Sequence, residues 1–328
     1  PLPRSDEGDK VWILVNNIRD EAYYDPTVET YVAGYFSSSE DTIADKNMMH
    51  IDSYDWANRT GGTSARPYLY EGVFAHEYQH LLHFDMDPDE ESWVDEGLAD
   101  MAAYMCYEDG DLSHVVYYLV YHPFAALTFF GGGLESYGAS FLFQLYLWEK
   151  YGEDSFSKAL FEDQGNGIEG VQNTLNSKAG GIPFDTVFDN WTVANYVDKP
   201  VAGSLYGYDS LNIGTADTWG YSIEYALQRY WYPSHRLKLP MALYSSGYYG
   251  APQPYTAQYY TFNNQKSLTA YVDGDELAGK EAYSGRQEWC SGQGTWAWKS
   301  FYQSFTIPTE GAALSFYTFY DIEEDWDY

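Results

Sequence analysis

Two histidines four residues apart, His76 and His80, with Glu77 directly after the first, spell H-E-x-x-H inside the apolar, helix-forming stretch from Phe74 to Tyr104. On an α-helix, positions i and i+4 lie one above the other, so both imidazoles can address one ion from a single face. Glu77 lies about 100° further round and can face that ion's open position without being a ligand. A hydrolytic zinc site keeps three protein ligands and one open position, so a third ligand is required. Glu96 is the candidate. It lies in Trp93-Val94-Asp95-Glu96-Gly97-Leu98-Ala99-Asp100, which reads as the start of a second helix after the turn-rich Asp85-Met86-Asp87-Pro88-Asp89. The chemistry such a set performs is hydrolysis by an activated water, with Glu77 as general base. The bland alternative is a helical pair in which Glu96 and Asp100 merely cap or solvate. It leaves unexplained why two histidines, a glutamate and a downstream Glu/Asp pair fall in one register.

H-E-x-x-H followed by a helix carrying E-G-x-A-D resembles the gluzincin metallopeptidases, and within that clan the chain most resembles the hyicolysin-type peptidases. The resemblance implies that His76, His80 and Glu96 ligate zinc, that Glu77 is the general base, and that Asp100 orients the first histidine. A carboxylate behind a ligating imidazole fixes its tautomer and raises its basicity. The resemblance also implies a zincin-like α+β catalytic domain: an N-terminal mixed sheet with the active-site helices, then a helical lower lobe.

The elements that must position these residues are legible in outline. Val11–Ile18 reads as a buried strand, Tyr31–Phe36 as a second and Met48–Tyr54 as a third, followed by a loop with Gly61-Gly62 and then the His76 helix. By the same resemblance, Tyr31–Phe36 is the outer strand that pairs with a substrate backbone. His50 reads as a strand residue packed beneath the helix, since the ligand set is already complete. His83 lies about 10 Å along the axis from His76, too far to share one ion on an unbroken helix, and is expected to be structural. Asp85, Asp87, Asp89, Glu90 and Glu91 concentrate oxygen atoms but lack the glycine and terminal glutamate of an EF-hand loop. A solvated acidic turn explains them more simply than a calcium site.

After Gly131-Gly132-Gly133, the segment Ala139–Tyr151 has helical periodicity and Gly152 as its stop. A tyrosine-glycine step opening such a helix resembles the gluzincin element that brings a phenol to the oxyanion, which makes Tyr137 the candidate, with Tyr104, His114 and His122 as competitors. Val187–Val197 resembles the closing helix of the lower lobe. From about residue 205 strand-like runs follow, Tyr255–Phe262, Leu268–Val272, Trp296–Phe305 and Ala313–Phe319, divided by Gly, Pro, Asn and Asp. The expected organisation is therefore a catalytic domain over 1–203 and an all-β sandwich or jelly roll over 204–328. The final run resembles the sandwich of immune inhibitor A-type peptidases, where a further strand would follow. H-E-Y-Q-H-L-L-H departs from the glycine-containing zinc motif of that family, so only the appended domain is carried over. Asp321, Glu323, Glu324, Asp325 and Asp327 offer a second place for calcium.

With 49 acidic against 17 basic residues, the net charge is −32, which excludes a polyanion such as nucleic acid as a plausible partner. Such acidity fits an extracellular protein that binds calcium or works in salt. The 35 tyrosines suit a half-buried β surface. No run of 18 apolar residues suggests a membrane span. The opening Pro1-Leu2-Pro3-Arg4 leads us to expect a removed leader or propeptide. Cys106 and Cys290 are too few to staple the fold, and Cys106 is expected as a buried thiol. The reading is a secreted zinc endopeptidase acting on a peptide or protein. A zinc aminopeptidase would need an amine-binding G-x-M-E-N stretch, which residues 1–75 lack. A calcium-stabilised adhesive module with structural zinc would have no use for Glu77.

Overall fold

Three short strands form one small sheet. β1 (Trp12–Asn16), β2 (Gly34–Phe36) and β3 (Met48–Asp52) lie in the order β1-β3-β2, with β1 parallel and β2 antiparallel to the central β3. Two short helices join them: α1 (Glu21–Tyr24), capped by the Asp20 carboxylate, and α2 (Ser38–Ala44), capped by the Ser37 hydroxyl. The computed structural model describes residues 10–229 apart from 26, 29, 108–111 and 200–202, together with 236–237, 254–257, 259 and 261–262. Within these limits the protein is mixed α and β and mostly helical.

β1 departs from expectation. Its whole length is exposed, because β3 holds the central position and α3 (Leu69–Met86) makes its main contacts with β2 and β3. Met49 and Ile51 of β3 are buried instead. The second strand is shorter than the predicted Tyr31–Phe36, and it does occupy an edge. His50 is a buried strand residue, on the side of the sheet that meets α2: its ring stacks on Tyr35 at 4.2 Å and its Nε2 lies 2.8 Å from Glu40.

The helices carry the core. α4 (Ser92–Cys106) packs on α3, and α6 (Leu134–Tyr151) packs on both α4 and α5 (Ser113–Tyr121). α6 is buried almost all round from Ser136 to Leu147, as befits a central helix. It begins before the predicted Ala139, so Tyr137 lies within its first turn, and it stops at Gly152 with φ of 147°. α7 (Asp154–Glu162), α8 (Ile168–Lys178), α9 (Phe184–Val197) and α10 (Ile223–Arg229) enclose the same core through Phe156, Leu175, Trp191 and Leu227. Tyr118, Tyr146 and Tyr208 lie inside it rather than on a β surface, and their hydroxyls bond to Asn195, the Leu205 carbonyl and Asn195 respectively.

The chain divides into compact units Pro1–Asn263 and Asn264–Tyr328. The expected boundary at 203/204 falls inside the first unit, where Tyr208 and Leu211 join the helical core. Within the predicted Tyr255–Phe262 run, Thr261–Phe262 is strand and pairs in parallel with Arg236–Leu237. The runs at Leu268–Val272, Trp296–Phe305 and Ala313–Phe319, the acidic tail and Cys290 lie outside the described residues. Cys106, expected to be buried, is exposed at the end of α4. No helix among the described residues is long and apolar enough to cross a membrane.

Two glycines fix the helix crossings. A Cβ on Gly97 would stand 2.7 Å from the Ser140 carbonyl oxygen of α6, and one on Gly138 would stand 2.0 Å from the His114 carbonyl oxygen of α5. Both contacts are to backbone, so neither neighbour can turn aside. Gly138→Ala is expected to force α5 and α6 apart and to cost about 1–3 kcal/mol, the range for overpacking, as measured by denaturant unfolding.

Candidate metal centre

α3 and α4 bring together the three predicted ligands. Nε2 of His80 lies 3.0 Å from Nε2 of His76, and Glu96 Oε2 lies 3.2 Å from His76 Nε2 and 3.3 Å from His80 Nε2. Among the described residues this is the one group of three His, Cys, Asp or Glu whose ligand atoms all lie within 4.8 Å of one another.

The other ring nitrogens explain why these atoms are electron-pair donors. His76 Nδ1 donates to Asp100 Oδ1 at 2.9 Å, and His80 Nδ1 donates to Asp95 Oδ2 at 2.7 Å. An ionised carboxylate only accepts, so in the neutral rings Nε2 is the lone pair. Burial opposes ionisation of Asp95, yet hydrogen bonds from His80 and His83 overcome it and hold its carboxyl well below the usual range. Burial likewise opposes the Asp100 charge, and His114 and His76 overcome it. Burial opposes the Glu96 charge too, and bonding to His76 and His80 holds its carboxyl below the usual range.

Three lone pairs this close repel unless a cation lies among them. A tetrahedral ion with bonds of about 2.0–2.1 Å sets its ligands about 3.3 Å apart, so the donor set fits a divalent ion such as zinc. The surrounding charge agrees. Burial disfavours a charged His76, but bonding to Asp100 and Glu96 outweighs this and lifts its pKa to about 9. The same negative field favours any cation at the cluster.

Each predicted residue can now be placed. Glu77, on α3 but outside the ligand trio, is buried, and its Oε2 accepts the Phe36 N–H of edge strand β2 at 2.8 Å. Burial pushes its carboxyl up, partly offset by His76 and His80. Tyr137 reaches the centre from α6: its hydroxyl makes a long contact of 3.5 Å with Glu96 Oε1, and its ring centroid lies 6.4 Å from that of His76. Burial, then the nearby carboxylates of Glu96, Asp100 and Glu77, raise its pKa, so the phenol keeps its proton. Tyr104 instead donates to the Ser210 carbonyl, and the buried His122 bonds to the Leu119 carbonyl. His114 does stand at the centre, with Nδ1 donating to Asp100 Oδ2 at 2.8 Å and its ring 4.9 Å from Tyr137.

Asp95 was not singled out by the motif. It accepts from His80 through one oxygen and from His83 Nδ1 through the other, at 2.7 Å each. His83 lies outside the trio and bonds the carboxylate that stands behind His80. The signal was present in Asp95 preceding Glu96 and in His83 following His80 by three, but only the crossing of α3 over α4 joins them.

The acidic connection is less solvated than expected. Asp87 is 4% exposed and its Oδ2 has no hydrogen-bond partner. Glu90 Oε1 accepts the Gly167 N–H, Glu91 accepts the Trp93 indole N–H, and Asn166 and Gln164 donate to the carbonyls of Asp89 and Met86. A cleft of about 270 Å³ is lined by Phe36, Ser38, Phe84, Asp87, Pro88 and Glu90 together with His80, Asp95 and Glu96 of the cluster.

The chain matches no protein-family model and no curated protein.

Carboxylates behind ligating imidazoles typically contribute about 10–100-fold to metal affinity. Asp95→Asn and Asp100→Asn are each expected to weaken zinc binding by about that factor, read by chelator competition, with unchanged helical circular dichroism.

Proposed function

We propose that the protein is a zinc-dependent endopeptidase that hydrolyses peptide bonds. The observation that carries this reading is the convergence of His76 Nε2, His80 Nε2 and Glu96 Oε2 at 3.0–3.3 Å, with Glu77 held just outside that set. A bound divalent ion would supply Lewis acidity, acidifying a water and polarising a carbonyl.

The remaining work falls to this chain's side chains. Glu77 takes the proton of the attacking water and later delivers it to the departing amine; burial, which raises its proton affinity, suits it to that exchange. Its tie to the Phe36 N–H fixes the carboxylate between the cluster and the edge of the sheet. Tyr137, kept protonated by burial and by the carboxylates around it, donates to the oxyanion. His114 supports both, through its bond to Asp100 and its ring against Tyr137. Asp95 and Asp100 hold the two histidines in the tautomer that leaves Nε2 inward. Edge strand β2 offers backbone groups along which an extended peptide can lie. The acidity of the chain favours an extracellular setting, and secretion is part of the proposal.

Glu77→Gln is expected to keep stoichiometric zinc and lose nearly all hydrolysis of an internally quenched, N-terminally blocked peptide. Normal turnover in that variant removes the mechanism. Glu96→Ala is expected to lose zinc in elemental analysis, and full occupancy there shows a different third ligand. Tyr137→Phe is expected to lower kcat about 10²–10³-fold with KM little changed, the loss typical of one oxyanion donor.

A further inference from the structure

Edge strand β2 lies along one stripe of α3. A Cβ added to Gly34 would stand 2.6 Å from Val73 Cγ1 and 2.8 Å from the His50 carbonyl oxygen, so the strand approaches the helix as closely as a residue without a side chain allows. Two residues on, the Phe36 N–H donates to Glu77 Oε2 at 2.8 Å, and the Phe36 ring packs against Phe84 with centroids 5.8 Å apart. Val73, Glu77 and Phe84 share one face of α3. The Ala33 carbonyl accepts the Asp52 N–H of β3, so the backbone groups of residues 33 and 35 face the sheet and those of 34 and 36 face outward. The two elements also match in length: two residues of strand rise about 6.6 Å and four of helix about 6.0 Å, so Gly34 at Val73 sets the next outward N–H at Glu77.

This tie answers a problem of charge. A zinc ion on three protein ligands keeps a fourth position open for water. A carboxylate beside such an ion is drawn into that position as a further ligand, and once there it no longer serves as a base. Glu77 follows His76 directly, and His76, His80 and Glu96 all lie close enough to act on its charge. Yet it stands outside the set of ligand atoms those three form. Its Oε1 accepts from no described residue, so the one hydrogen bond that restrains the carboxylate comes from strand β2.

We propose that the Phe36 N–H, carried on β2 at the spacing Gly34 permits, is a positioning group that holds Glu77 off the metal and so keeps the open position for water. The restraint rests on the peptidase reading of the same cluster and gives β2 a task there besides offering its edge to a peptide. It also carries a sign that damage to the fold does not share. Releasing Glu77 strengthens metal binding while it weakens hydrolysis, whereas distortion of the cluster weakens both.

The test exchanges Phe36 for its α-hydroxy acid analogue in the full chain, which puts an ester oxygen in place of the N–H, keeps the ring and removes no N–H that faces β3. Zinc affinity, read by chelator competition, is expected to rise about tenfold or more, the worth of a hydrogen bond to a charged group. Hydrolysis of a blocked, internally quenched peptide is expected to fall about as far in kcat, with KM little changed. In a Glu77→Ala background the same exchange is expected to leave zinc affinity as it was. Zinc affinity that is unchanged or lower in the ester chain overturns the proposal, as does a gain that survives Glu77→Ala. A gain in affinity with hydrolysis at the native level overturns it too, because Glu77 has then not taken the position that water needs. A gain that requires Glu77, in a protein whose native form cleaves no peptide, sinks the peptidase reading and leaves the restraint standing.

Discussion

Two carboxylates on α4 each hold two imidazoles, and the geometry of the centre depends on that pair of clamps. Asp95 joins His80 to His83, both on α3, while Asp100 joins His76 of α3 to His114 of α5. A buried carboxylate is tolerated only when its lone pairs are filled, and here every oxygen of both clamps accepts from a ring N–H. The consequence is directional. With each Nδ1 committed to an aspartate, the Nε2 atoms of His76 and His80 face inward by default, and Glu96, between the clamps in sequence, meets them from the same helix as the clamps.

This arrangement concentrates negative charge. Glu77, Asp95, Glu96 and Asp100 stand around the four imidazole rings, within a chain already carrying −32. Burial would push each carboxyl towards its protonated form, but the histidine bonds win at Asp95, Glu96 and Asp100 and lose at Glu77. One environment thus holds three carboxylates ionised as supports and leaves the fourth with raised proton affinity. The difference arises from partners: Glu77 has a single backbone N–H where the aspartates have two imidazoles each.

The trio itself could be read from the letters because helical spacing alone puts His76 and His80 on one stripe, and because Glu96 and Asp100 repeat that spacing on the next helix. Asp100 behind His76 was what the family resemblance implied, and the two are hydrogen-bonded. Other features depended on crossings that no local pattern encodes. Asp95 reaches His80 and His83 only at the angle α4 takes to α3, and His114 arrives from a third helix. The exposure of Trp12, Ile13, Leu14 and Val15 follows from strand order, since a run of apolar residues reads the same in a central strand and at an uncovered edge. The turn after α3 is tied down by groups from Gln164 to Gly167, far along the chain. Tyr118, Tyr146 and Tyr208 lie in a helical interior, and composition carries no information about where a phenol finds its partner.

Gly97 and Gly138 follow immediately after Glu96 and Tyr137, and each lies against the backbone of a neighbouring helix with no space for a methyl group. Helix packing and the placement of reactive groups are therefore one constraint at these points: a change that eased the crossing would swing a ligand or a phenol out of line. The turn carrying Asp87, Pro88 and Glu90 stands outside both crossings. Sequence change is accordingly unequal in its consequences here: a methyl group added at either glycine moves a helix and the side chain before it together, whereas a change in the turn disturbs neither crossing.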